Sequence, residues 1–122
     1  YQNQWIKSVN VMIRIVFLTD SQGLIQEFTV KGHAEYDDAG KDIVCAAVSA
    51  VVQTAVIGLT DVAGINADHA QKDGLLKCRL PKQMNVDQKK ASSVILCTML
   101  AGLESIKNGY PNLISIIERK VD

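Results

Sequence analysis

Apolar and polar residues alternate in the early part of the chain and then change rhythm. In residues 12–19, Ile13, Ile15 and Phe17 take every second position with Arg14 and Val16 between them, which predicts a β-strand with one face in a core. Asp20-Ser21-Gln22-Gly23 supplies turn chemistry. Residues 24–32 return with Leu24, Phe28 and Val30 set against Glu27, Thr29 and Lys31, so the two segments predict an antiparallel hairpin. Residues 43–59 are almost continuously apolar and Ala-rich; they exceed an ordinary strand and predict a buried helix that frays at Gly58. Residues 62–70 and 75–80 flank Gln71-Lys72-Asp73-Gly74, predicting a second hairpin closed by Pro81. A second helix starts at Asn85 or Asp87, carries Val94, Leu96, Met99, Leu100 and Leu103, and stops at Asn108-Gly109 before Pro111. Residues 113–121 give a last strand.

The order β-β-α-β-β-α-β predicts an α+β fold: a two-layer domain with a five-stranded, mostly antiparallel sheet and both helices on one face. Residues 12–122 are expected to form that one domain. Residues 1–11, polar and aperiodic, are expected to be a disordered or artificially added leader outside it.

A length of 122 residues with 48% hydrophobic content suits a globular core and excludes an extended disordered chain. Thirteen basic and thirteen acidic residues cancel, which argues against a broad electrostatic grip on nucleic acid, so no direct nucleic-acid partner is expected. Three cysteines without a Cys-x-x-Cys pair fit a reducing compartment, and the expected location is the cytoplasm. The apolar stretches read as interrupted short of the roughly 18 residues of a membrane span, so no membrane association is expected.

The chemistry gathers around two short runs. Gly32-His33-Ala34 closes the second strand, and Asp42-Ile43-Val44-Cys45-Ala46 opens the first predicted helix. Residues 35–41, with three acids and no apolar period, read as a mobile loop between them. A helix opening at Asp42 puts Cys45 in its first turn, where unpaired N–H groups favour a thiolate and can hold an oxyanion. A thiol beside an imidazole base is an arrangement for acyl transfer. Each residue also has a plainer reading: Cys45 as core packing, His33 as a hydrogen-bonded strand-end residue, Gly32 as a strand terminator. Asp42 reads as the helix N-cap or as a group that orients the His33 ring. Ser49, one turn beyond Cys45 on the same helical face, is placed to contact substrate or to bond back into its own helix. His69, Cys78 and Cys97 match no zinc spacing, and no metal or cofactor is expected. Lys82, Lys89 and Lys90 read as the solvated start of the second helix or an anion site.

Gly32, His33, Ala34, Gly40, Asp42, Ile43, Val44, Cys45, Ala46 and Ser49 together resemble the ribosomal-processing cysteine protease family, Prp. The resemblance implies Cys45 as nucleophile, His33 as general base and acid, Asp42 as a possible orienting residue, and Gly32, Ala46 and Ser49 at the substrate. It implies a homodimeric cysteine endopeptidase that removes the N-terminal extension of the twenty-seventh large-subunit ribosomal protein, after an aromatic-rich segment, in support of ribosome assembly. The residues alone leave open a thiol redox protein and a non-catalytic ribosome-assembly binding module.

Overall fold

The computed structural model describes residues 13–32 and 39–121, with residues 39–42 given by their backbone. The leader, Met12, His33, Ala34 and residues 35–38 of the expected loop lie outside the described residues. Strand β1, Ile13–Thr19, pairs antiparallel with β2, Ile25–Gly32. Their turn is held by Asp20, whose Oδ1 accepts from the backbone N–H of Gln22 at 2.9 Å and of Leu24 at 3.0 Å. Helix α1 is Ala39–Ile57, the second hairpin is β3, Asp68–Lys72, with β4, Leu75–Arg79, and helix α2, Val86–Gly109, precedes β5, Ile114–Lys120. The strands lie in the order β3-β4-β2-β1-β5, and the β1–β5 pair is parallel while the other three are antiparallel. This is the expected α+β, five-stranded, mostly antiparallel sheet with two helices.

Alternation decides which sheet face is covered. Ile13, Ile15 and Phe17 of β1 and Phe28 of β2 are buried together with Val44, Val48 and Val52 of α1 and Leu96, Met99 and Leu103 of α2. Phe17 and Phe28 stand opposite each other in the β1–β2 register, with ring centroids 6.2 Å apart. Such pairs are the unit that fixes register on a buried face. At the start of α2, Asn85 Oδ1 accepts from Gln88 N at 2.8 Å and Gln88 Oε1 accepts from Asn85 N at 3.0 Å, a reciprocal cap that selects Asn85 over Asp87 as the helix boundary.

Three boundaries differ from the sequence reading. Helix α1 begins at Ala39, so residues 39–41 are helical instead of loop; Ala and Lys are good helix formers, and one Gly between them costs only about 1 kcal/mol. The helix also does not fray at Gly58: Gly58–Val62 continue it with a wider turn in which Ala63 N donates to Gly58 O at 2.8 Å. Gly64, at φ +66°, then turns the chain, and Ile65 and Ala67 enter the core before β3 starts at Asp68. The predicted strand over 62–70 therefore shrinks to its C-terminal part, because its apolar residues fill a helix end and a connection.

The apolar stretch Ile43–Val62 is 20 residues long with a mean hydropathy of 2.1, which corrects the reading that no stretch reaches the length of a membrane span. Here Val44, Val48, Val52, Val56 and Leu59 are buried in the core, and Ser49, Ala50, Gln53 and Thr54 are exposed on the other side.

Cys78 sits on the covered side of β4, opposite Phe28 in the β2–β4 register, and is buried. Burial pushes its thiol from 9.0 up to about 11, with Asp68 and Glu27 adding to the rise. Between these values the unfolded chain releases a proton that the folded chain keeps, so stability falls as pH climbs. Against a Cys78→Val control, the parent is expected to lose about 2 kcal/mol of unfolding free energy between pH 8 and 11 in urea titrations. Parallel pH curves for the two proteins would mean that the thiol is solvated.

Candidate active site

Cys45 lies on α1, partly buried, with its neighbour Val44 wholly in the core and Ala46 exposed. Because α1 begins at Ala39, Cys45 is the seventh helical residue and lies beyond the first turn, where it was expected. Asp42, the fourth, is inside the helix, which overturns its reading as N-cap. At Cys45 an α-helical backbone already engages the N–H with the carbonyl four residues earlier, and the helix-terminal field fades within the first turn. The helix terminus is thus a weaker source of thiol activation, and of oxyanion donors, than the sequence suggested.

A cleft of about 560 Å³ opens beside Cys45, between α1 and the β3–β4 hairpin. Its lining brings together Gly32, Cys45, Ala46 and Ser49. Gly32 is the last residue of β2, so the chain leaves the cleft wall directly into His33. The interior is apolar, with Ile13, Val30, Val48, Val52 and Leu76, whereas Gln71 and Lys72 bring polar groups from the hairpin. Ser49 Oγ accepts from Gln53 Nε2 at 2.9 Å, a bond that leaves its hydroxyl proton available to another acceptor.

Sequence reasoning missed the second hairpin as a wall of this cleft. Gln71, Lys72, Gly74, Leu75 and Leu76 all line it, because β4 pairs with β2 at Lys31↔Leu75 and so brings the turn beside the end of β2. Gly74 O accepts from Gly32 N at 2.8 Å, tying the turn to the residue that precedes His33. The Asp73-Gly74 dipeptide signalled the turn, but only the long-range strand register places it here.

Gly74 has φ +71°, where a side chain is strained. Gly74→Ala is expected to cost about 1–2 kcal/mol of stability in chemical denaturation, and Gly74→Asn, which tolerates this conformation better, to restore most of it. Equal stability of all three proteins would show that the turn relaxes freely and does not hold the strand end.

Cys78 is buried, and Cys97 lies on α2 beside a small depression lined by Gly23, Met84 and Ser93. Neither lines the Cys45 cleft, so neither supplies a resolving thiol there. Among the described residues no group of three or more His, Cys, Asp or Glu side chains is arranged to hold a metal ion.

The profile of the cysteine protease Prp family matches residues 12–115. The chain is 33% identical over 103 residues to the ribosomal processing cysteine protease Prp of Staphylococcus aureus strain Mu50, covering 81% of this chain and 92% of that protein. It is 30% identical over 88 residues to the protein of the same description from Bacillus subtilis strain 168, covering 70% and 79% respectively. Among solved structures, the essential ribosomal processing protease Prp from S. aureus in complex with a substrate peptide superposes with a TM-score of 0.78 at 25% identity, over 88% of this chain and 100% of that one. The same enzyme with a covalently linked product peptide gives a TM-score of 0.76 at 27% identity, with the same coverage. With the profile spanning both His33 and Cys45 and the sheet and helices matching throughout, the chain belongs to the cysteine protease Prp family.

Proposed function

We propose that this protein is a cytoplasmic endopeptidase that removes the N-terminal extension of a large-subunit ribosomal protein, the twenty-seventh, by a Cys-His mechanism. The observation that carries the reading is the shared cleft: Cys45 lines it together with Gly32, the residue directly before His33. His33 takes the thiol proton as the Cys45 sulfur attacks the scissile carbonyl. Collapse of the tetrahedral adduct breaks the C–N bond, and the same proton goes to the leaving amine. Water, deprotonated by His33, then cleaves the thioester and frees the thiol. A covalently linked product peptide in the S. aureus relative supports a covalent route. Ser49 and Ala46, exposed on α1 beside Cys45, are the groups proposed to contact the bound peptide.

The apolar interior of the cleft favours substrates anchored by large apolar side chains. Intact mass after incubation with the extended ribosomal protein is expected to show one cut, after the aromatic-rich segment. In a peptide with a Phe-Phe pair before a small residue, changing both aromatics to Ala is expected to lower kcat/KM at least about tenfold, a loss of roughly 1.4 kcal/mol or more. Equal cleavage of the two peptides would refute aromatic anchoring, and an uncut ribosomal protein would refute the substrate.

A further inference from the structure

The sheet face opposite the helices carries a concentration of positive charge that the neutral total conceals. Residues paired directly across strands share a face, so the registers put Arg14, Lys31, Lys77, Arg79 and Arg119 on this side. Among the described residues only Glu27 and Asp68 oppose them there, and Glu27 is shared between Lys77 Nζ at 3.6 Å and Arg79 Nε at 3.3 Å. Arg14 stands directly opposite Lys31 in the antiparallel β1–β2 pair. Like charges in that position destabilise a sheet, so the pair is a cost to the fold without a folding return. Both are exposed, and neither has a carboxylate partner among the described residues.

Between the cations lie half-buried Val16 and Leu18, exposed Ile117 and Ala70, and the hydroxyls of Thr29 and Ser115, and the face bears no aromatic ring. A second copy of the chain is a poor occupant, because two such faces repel. A membrane surface is also poorly matched, since the apolar residues form a narrow strip of Val16, Leu18 and Ile117 flanked by cations and polar groups, and not the wide apolar face with aromatic anchors that inserts between headgroups. Three of the five cations are arginines, whose planar forks suit phosphate oxygens. Without rings for base stacking, the contacts available are to phosphate and sugar.

We propose that this open sheet face binds the phosphate backbone of a folded, double-stranded RNA. Recognition is by shape and charge, through phosphates and 2′-hydroxyls, and not by base sequence. The expectation that nucleic acid makes no direct contact rested on total charge, whereas binding depends on how that charge is distributed. The inference stands on the strand registers and is independent of the cleft chemistry, since Cys45 and Ser49 lie on α1, which packs on the other side of the sheet.

The test is fluorescence anisotropy of the full chain with a labelled RNA hairpin of about 16 base pairs. Binding is expected at 50 mM salt and to weaken at least about tenfold by 200 mM. Arg14→Gln combined with Arg119→Gln is expected to weaken it at least about tenfold at 50 mM and to flatten the salt slope, with peptide cleavage and melting temperature unchanged. Lys31→Gln serves as a second probe of the face if the double variant loses its fold. Lys89→Gln with Lys90→Gln, on α2, is expected to leave RNA binding as it was. No binding at 50 mM would overturn the proposal. So would binding that ignores the sheet variants, a preference for phosphatidylserine vesicles over RNA, or a dimer built on this face.

Discussion

Cys45→Ala is expected to lower peptide cleavage by at least about 10⁴-fold while the variant still binds the Phe-Phe peptide, because loss of a nucleophile removes the covalent route and leaves only the contribution of binding. The fold is expected to survive: Cys45 is only partly buried, whereas Val44, Val48 and Val52 of the same helix are buried in the core. A one-atom truncation at such a position belongs among the mild changes, within about 1 kcal/mol. Cys45→Ser is expected to be as inactive, since an alcohol needs far stronger activation than a thiol to become a nucleophile. Single-turnover mass spectrometry gives the readout, with an acyl adduct on the parent and none on Cys45→Ala. Retention of a tenth of parental activity would remove Cys45 from the reaction. A large fall in melting temperature together with loss of peptide binding would return Cys45 to the role of core packing.

The sheet and helices were legible because their signals are local. The alternation of Ile13, Ile15 and Phe17 survives as the buried side of β1, and Asp73-Gly74 forms the expected two-residue turn. Asn85 with Gln88 makes a cap that depends on residues three apart. The errors fell where tertiary context overrides local preference. Residues 62–67 look like the start of a strand, yet Val62 ends a helical extension while Ile65 and Ala67 fill the core through an irregular connection. A start of α1 at Asp42 follows from the lack of an apolar period over residues 35–41, yet Ala39, Gly40 and Lys41 already belong to the helix. Gly32, Cys45, Ala46 and Ser49 were identifiable from a motif; the β3–β4 wall of the cleft was not, since it arises from the pairing of residues more than forty positions apart, such as Lys31 with Leu75. The charged sheet face was hidden for the same reason: Arg14, Lys77 and Arg119 become neighbours only through β1, β2, β4 and β5.

His33→Ala is expected to lower kcat by about 10²–10⁴-fold with little change in KM, the range over which a positioned acid–base group acts. The corrected start of α1 strengthens this expectation. With Cys45 at the seventh helical position, the helix terminus contributes little to forming the thiolate, so the burden of accepting the thiol proton falls on the imidazole. The parent's kcat/KM is expected to rise with pH on an acid limb as the catalytic pair reaches its reactive protonation state. In His33→Ala that limb is expected to vanish, and the remaining rate to follow ionisation of the unassisted thiol at higher pH. Added imidazole is expected to restore part of the rate. A purely structural histidine predicts a different set of results: an unchanged pH profile, a lowered melting temperature and no rescue. The Gly74→Ala protein supplies the comparison, since it perturbs the hydrogen bond at Gly32 while keeping the imidazole. If Gly74→Ala reproduces the whole kinetic effect of His33→Ala, with the acid limb lost and no rescue by imidazole, then the strand end and not the imidazole governs the reaction.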